Sequence, residues 1–351
     1  MIEGYENITI SIDATVMDAL KRMDEVRRKM LLVNDGAAFY SIVTIGDIQR
    51  AILKGKGMDT PLRDIISRED KVFASKYDQE TDIRQKMLTL RCELMPVLDD
   101  DYHIVKVYQW NDFFGKEEIG FQRQSLDLPV VIMAGGKGTR LLPLTNMLPK
   151  PLIPLGEKTI LEEIMDRFER IGSKRFYLSL NYKCEDVENY LARLRHHYNV
   201  NYVKEDRPLG TVGSVTLLKG IIHEPFFLSN CDILIDQDMR DVYDFHCSNH
   251  NDITIISAVK SINIPYGVIE MENGQMTRLK EKPVVSYNVN TGVYLLQPEM
   301  IDEIPEGQFF HITQLIDIVH RKGGKVGCFP ISDRSWNDIG EWDGYLKYIG
   351  K

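Results

Sequence analysis

Between residues 130 and 154 the chain reads VVIMAGGKGTRLLPLTNMLPKPLIP, and these residue types could bind and transfer phosphate groups. An apolar run, Val130 to Met133, has the length of a buried strand and ends in Ala134, Gly135, Gly136, Lys137, Gly138, Thr139 and Arg140. Glycines lack a Cβ, so Gly135, Gly136 and Gly138 can turn backbone N–H groups toward an anion from left-handed conformations. Arg140 offers a planar fork for phosphate oxygens, and Lys150, set between Pro149 and Pro151, a point charge. The combination reads as a cradle for a nucleoside triphosphate. Downstream, Asp232 follows the strand-like stretch Pro225 to Ser229, where a carboxylate can hold a hard cation.

Two common nucleotide loops do not fit. A P-loop needs Lys and then Ser or Thr after its last glycine, and the dinucleotide fingerprint needs glycine where Leu141 stands. The full string, G-G-x-G-T-R-L-x-P-L-T followed by P-K-P-L, resembles the signature of the sugar-1-phosphate nucleotidyltransferases, the nucleoside-diphosphate-sugar pyrophosphorylases. The resemblance continues through the E-x-x-P-L-G-T segment at Glu205 to Thr211. It covers Asn230-Cys231-Asp232, where Cys231 departs from the usual glycine, and the Y-G … E-K-P order of Tyr266-Gly267 and Glu281-Lys282-Pro283. Asn290-Thr291-Gly292-Val293-Tyr294 follows, with Thr291 in place of alanine, and then Trp336-Asn337-Asp338-Ile339-Gly340.

The resemblance implies roles residue by residue. Ala134, Gly135, Gly136, Gly138 and Thr139 would cradle the nucleotide, with Gly210 against the base and Thr211 opening the next helix. Gly267, Glu281 and Asn290 would hold the sugar, Lys282 its phosphate, and Asp232 and Asp338 a magnesium ion. A phosphate oxygen of the sugar attacks the α-phosphorus and pyrophosphate leaves, with Arg140 on the leaving group and Lys150 on the α-phosphate. The attacking oxygen is already ionised, so no general base is needed and positioning with charge stabilisation carries the reaction. Without the resemblance, Asp338 would read as a helix cap, and Glu281 and Lys282 as surface charge. The loop is shared with choline-phosphate-type cytidylyltransferases, but the E-K-P and Y-G segments favour a sugar acceptor. A regulatory subunit with an inactive transferase half is the rival of another class; the intact set of Arg140, Lys150, Asp232, Lys282 and Asp338 argues against it.

Positioning these residues requires an α/β domain, expected over residues 129–351. Alternating patterns predict a helix over 160–171, a strand over 175–180, a helix over 185–197 and a strand over 201–204. That order predicts a Rossmann-like, mostly parallel sheet with ligands beyond its carboxyl edge. Asn273-Gly274 signals a hairpin. His196, His197, Glu299 and the run 302–306 suggest only surface.

Residues 1–120 are of another kind. Two similar α+β units, over 8–56 and 61–116, repeat a β-α-β-β-α order, and such repetition means stacked copies. The order, with IVTIGDI in the first copy and ELMPVLDDD in the second, resembles a tandem CBS-domain module. In that family a hydroxyl residue and an Asp three positions on hold the ribose of an adenine nucleotide. Thr44 and Asp47 match in the first copy; in the second Asp112 matches but Gln109 replaces the hydroxyl. Both aspartates also suit helix starts. The module is expected to bind AMP or ATP or to pair two chains into a dimer. Residues 121–128 are the expected linker. Such a module ahead of a short transferase resembles the guanylyltransferases that make GDP-glucosamine for legionaminic acid. GTP and glucosamine 1-phosphate are therefore the expected substrates, with heptose- or mannose-1-phosphate guanylyltransfer and uridylyl or thymidylyl transfer as alternatives.

The 351 residues can bury about two or three cores. A net charge of −9 argues against nucleic acid or anionic membrane as partner. No apolar run approaches the roughly 20 residues of a membrane span, and no signal peptide is expected at Met1 to Asn7. Cys92, Cys184, Cys231, Cys247 and Cys328 are widely spaced without a C-x-x-C pair and read as free thiols of a cytoplasmic protein. No hexapeptide repeats follow Trp336, so an appended acetyltransferase β-helix is not expected.

Overall fold

The structure, a computed structural model, describes residues 5–26, 28–67, 72–90, 92–109, 112–113, 125–194 and 198–350. Linker positions 121–124, His196, His197 and the second repeat beyond Phe113 lie outside the described residues. The chain divides into two compact units, Met1–Gln124 and Ser125–Lys351.

The first unit contains two matching ladders. In one, β1 (Thr9–Ser11) runs parallel to β2 (Met30–Asp35), which pairs antiparallel with β3 (Ala38–Thr44). In the other, β4 (Ala74–Ser75) runs parallel to β5 (Leu94–Leu98), which pairs antiparallel with β6 (Ile104–Gln109). Helices Val16–Glu25 and Glu80–Leu90 cross between the parallel strands. Thr15 starts the first of these through a capping box with Asp18, which satisfies two orphan N–H groups. The apolar run 94–98 is buried on both faces: Leu94 and Leu98 join Leu31, Leu32, Val33, Phe39 and Ile48, whereas Met95 and Val97 join Ile83 and Met87. The two repeats thus share a core instead of standing as beads.

In the second unit seven strands form one sheet, in the order β11-β10-β7-β12-β17-β14-β18. Its members are β7 (Val130–Met133), β10 (Arg175–Leu180), β11 (Asn199–Lys204), β12 (Phe226–Asn230), β14 (Ile253–Asn263), β17 (Val284–Leu296) and β18 (Val326–Ser332). Only β17 runs against its neighbours. Short pairs complete the unit: β8 (Pro154–Leu155) with β9 (Lys158–Thr159), β13 (Ile233–Ile235) with β19 (Trp336–Asp338), and β15 (Val268–Glu272) with β16 (Gln275–Lys280). Side-chain alternation explains the layers. Val130, Ile132 and Phe227 pack on one face with helices Ile160–Glu169 and Met239–Ser248, and Val131, Phe226 and Leu228 pack on the other with helix Ile312–Arg321.

Register then fixes the functional edge. Met133 stands level with Ser179 on β10 and with Asn230 on β12, so the glycine loop, Asn181 and Asp232 all emerge at one place. Strand 175–180 falls as the pattern predicts, and the helices run 160–169 and 184–193. Asn273 and Gly274 both take positive φ, at 49° and 81°, as a two-residue hairpin turn requires. No helix among the described residues is long and apolar enough to cross a membrane.

Candidate active site

Gly138 adopts φ 63°, and a Cβ there would come within 2.8 Å of Thr145 Cγ2 and 3.1 Å of Lys150 Cβ. The missing side chain lets the loop lie on the segment that carries Lys150, and the Thr145 hydroxyl ties it down by donating to Gly138 O at 3.0 Å. Lys150 itself sits in a short 3₁₀ turn, Lys150–Leu152, and is buried. Its ammonium group hydrogen-bonds Asp232 Oδ2, each side chain being only 9% exposed. Gly136, Thr139 and Arg140 are exposed, with open space where a Gly136 side chain would go. Ala134 is different: it is buried, and its N–H donates to Ser179 O at 2.9 Å.

Distant carboxylates meet through a ladder of three residue pairs. In the β13–β19 pair Ile233 stands opposite Asp338, and Ile339 N–H donates to Asp232 O at 3.0 Å, so both aspartates reach the same spot. A Cβ on Gly340 would lie 3.0 Å from both Asp338 Oδ1 and Lys150 Nζ, and closer still to Asp232 Oδ2. Arg140 completes the group, 3.6 Å from Asp232 Oδ2 and hydrogen-bonded at 2.6 Å to Glu341. The Glu341 carboxylate raises the guanidinium pKa further. Burial pushes the Cys231 thiol up to about 12.

Two carboxylates fit the magnesium expectation in donor type. No set of three or more His, Cys, Asp or Glu side chains among the described residues could hold a metal. Magnesium is commonly held by one or two carboxylates, with phosphates and water supplying the other positions. Asp232 and Asp338 would be those two.

The remaining expected residues lie in separate contacts. Gly210 has φ 82° because the Phe310 backbone packs where its side chain would be; Phe310 N–H donates to Leu209 O at 3.0 Å. Thr211 does not open a helix of its own. Its hydroxyl accepts the Ile312 N–H at 2.9 Å, capping helix Ile312–Arg321, and a 3₁₀ turn at Gly213–Leu218 follows instead. Gly267 lies against Glu281, where a Cβ would be 2.9 Å from Oε2. Lys282 N–H bonds Tyr266 O at 3.2 Å, and no ion pair among the described residues links Lys282 to the Asp232 cluster. Asn290 sits at a register break between β14 and β17, donating to Tyr294 Oη at 2.8 Å and accepting from Gly292 N–H at 3.0 Å. In the first unit Thr44 caps helix Ile45–Leu53, and both its N–H and its hydroxyl reach Asp47 Oδ2, at 2.8 and 2.7 Å. Asp112 likewise accepts the Gln109 N–H at 2.8 Å.

Residues 129–350 match the Nucleotidyl transferase family, which is most of the chain. The chain belongs to that family. Among similar curated proteins, mannose-1-phosphate guanyltransferase of Yarrowia lipolytica is 35% identical over 183 residues, covering 50% of each chain. The enzyme of that name from Schizosaccharomyces pombe is 34% identical over 230 residues, covering 62% of each. The match thus spans only half to about three fifths of the length of these relatives. Among solved structures, HddC from Yersinia pseudotuberculosis superposes with a TM-score of 0.51 at 25% identity, covering 64% of this chain and 98% of that one.

Several residues of this nucleotidyltransferase-family unit carry structure that the motif gave no role. Glu205 is buried at the end of β11; it takes the Ser179 hydroxyl on Oε1 and Leu209 N–H on Oε2 at 2.9 Å, which pins the turn to Gly210 beside Gly135. Glu341 stands at the N-cap of helix Trp342–Ile349 yet makes no side-chain cap, because its carboxylate goes to Arg140. Trp342 Nε1 donates to Leu142 O at 2.9 Å, so the last helix grips the glycine loop twice. A Glu where caps favour Ser, Thr, Asp or Asn is the sequence signal that could have found the first of these.

Proposed function

We propose that the chain transfers a guanylyl group from GTP to a sugar 1-phosphate, releasing pyrophosphate. The observation that carries this reading is the convergence of Arg140, Lys150, Asp232 and Asp338 beside the glycine loop. Two polyanions must meet in such a reaction, and two cations beside two carboxylates answer that need. The incoming triphosphate would draw Arg140 from Glu341 and share Lys150 with Asp232. A sugar-phosphate oxygen then bonds to the α-phosphorus while the bond to the bridging oxygen of pyrophosphate breaks. A magnesium ion held by Asp232 and Asp338 would supply positive charge at the phosphates. Gly267, Glu281 and Asn290 would hold sugar hydroxyls, and Lys282 the sugar phosphate.

Guanine is favoured by the guanyltransferases among the relatives. The same relatives favour mannose 1-phosphate as acceptor, and the module ahead of the transferase unit favours glucosamine 1-phosphate. That module would bind an adenine nucleotide at Thr44 and Asp47 provided Arg50, which pairs with Asp47 Oδ1, gives way. The test is pyrophosphate release with magnesium, crossing GTP, UTP, dTTP, CTP and ATP against hexosamine, hexose and heptose 1-phosphates. Release with GTP and one sugar phosphate together is expected. Silence from a folded protein across the panel would refute the reading, and calorimetry with AMP and ATP tests the module separately.

A further inference from the structure

Arg140 does not stand free beside the glycine loop. Its Nη1 donates to Glu341 Oε1 at 2.6 Å, while Nη2 lies 3.6 Å from Asp232 Oδ2, a carboxylate already held by Lys150. Both Arg140 and Glu341 are more than half exposed, at 55% and 59%, so an arriving ligand can reach the pair. The fold fixes this contact at several points. Helix Trp342–Ile349 starts at Glu341, whose C=O accepts the Tyr345 N–H at 2.9 Å. Trp342 Nε1 donates to Leu142 O at 2.9 Å, two residues beyond Arg140, and Tyr345 Oη donates to Pro154 O at 3.0 Å. The helix start is thereby held against the glycine loop and against the segment that follows Lys150. The Glu341 side chain caps nothing there, although Ser, Thr, Asp or Asn would serve the helix better.

We propose that Glu341 is a positioning residue that competes with pyrophosphate for Arg140 and so loosens the hold on the leaving group after each turnover. The inference rests on the reading that Arg140 takes the leaving phosphates. With the site empty the guanidinium sits on Glu341. To hold a triphosphate or pyrophosphate it must exchange that carboxylate for phosphate oxygens, and the exchange subtracts the worth of the pair from the affinity. A pair this exposed is worth up to about 1 kcal/mol, which is about fivefold in a dissociation constant. A term common to bound substrate and transition state leaves the chemical step at saturating GTP unchanged. It does speed departure, because differences in affinity fall mostly on the off-rate. A nucleoside monophosphate lacks the leaving phosphates and does not need the exchange.

The test is calorimetry of the full chain with magnesium pyrophosphate and, separately, with GMP, beside the variant Glu341→Gln. The expected result is pyrophosphate binding about fivefold tighter in the variant, with GMP binding the same in both. In an Arg140→Met background the same substitution should change pyrophosphate binding less than about twofold, because Glu341 acts through Arg140. Steady-state kinetics should show stronger inhibition by pyrophosphate and a lower KM for GTP, with the KM for the sugar phosphate unchanged. Glu341→Ser, which offers the helix a side-chain cap, gives the same readout should the glutamine variant fail to fold. Pyrophosphate binding that is unchanged or weaker in the variant, or GMP binding tightened by the same factor, would overturn the inference, as would a parent that binds no pyrophosphate. Calorimetry needs no turnover, so guanylyl transfer can fail on its own assay while this inference is decided by binding.

Discussion

Replacing Asp232 by asparagine should damage stability and turnover together, and a second substitution should separate the two effects. The amide keeps an acceptor for Lys150 but removes the charge that neutralises a buried ammonium. Breaking a buried ion pair by removing one partner costs about 3–5 kcal/mol. Asp338, close to the same ammonium, should hold the loss near the lower end. At about 3 °C per kcal/mol for a unit of this size, the unfolding temperature of the second unit should fall by roughly 10 °C. Turnover should fall about a thousandfold or more, because one of the two carboxylates proposed to hold the magnesium ion has gone. Adding Lys150→Met to Asp232→Asn removes the stranded charge and should recover most of the lost temperature and none of the activity. Scanning calorimetry and GTP-dependent pyrophosphate release measure the two effects. An Asp232→Asn variant melting within about 2 °C of the parent, with turnover within tenfold, would refute both the buried pair and the catalytic placement.

Gly340→Ala should fold yet lose at least about 100-fold in kcat, since its methyl group would displace Asp232 and Lys150; unchanged kinetics would mean that the cluster is not where reaction occurs. Thr291→Ala should cost about 1–3 kcal/mol in urea unfolding, because the Thr291 hydroxyl bonds Ile256 O at 2.7 Å and alanine strands that carbonyl; Thr291→Ser should lose far less. His246 is buried, with Nδ1 2.8 Å from Thr254 Oγ1 and Nε2 3.0 Å from the Gln297 amide, and burial pushes its pKa from 6.5 down to about 4. Above pH 6.5 neither folded nor unfolded chain protonates it; between 6.5 and 4 only the unfolded chain does, so stability should fall with pH by up to about 1.4 kcal/mol per unit. Urea midpoints at pH 7, 6 and 5 should show that slope in the parent and a shallower one in His246→Gln; parallel slopes would dismiss the assignment.

What the sequence made legible was whatever a local pattern enforces. The short apolar run bounded by glycines is a strand, Val130–Met133, although of Gly135, Gly136 and Gly138 only Gly138 takes positive φ. In the first unit the described strands form two ladders of like order, each a parallel pair followed by an antiparallel one. Thr211 does not open the next helix, for a long-range reason: its hydroxyl serves a helix that begins a hundred residues later, and nothing near residue 211 reports that. The same holds for Glu341, whose value as a counter-charge depends on Arg140 arriving from the other end of the unit.

Thr291 shows how a departure from a family pattern can be read once the register is known. Between Ile255 and Ser257 on β14, the partner strand advances from Tyr294 to Asn290, so β17 carries extra residues and the Ile256 carbonyl loses its ladder partner. The Thr291 hydroxyl fills that vacancy, and Gly292, at φ 87°, lets the strand pass Asn230. The break also frees Asn290 from regular pairing and lets its side chain be set by Tyr294 and Gly292 N–H. Threonine in place of alanine is then a local stabiliser of the bulge that aims Asn290, not a change in what Asn290 can bind. On the proposed function, the bulge therefore sets the side chain of Asn290, the residue offered to the sugar, while Lys150, Arg140, Asp232 and Asp338 lie in a separate cluster.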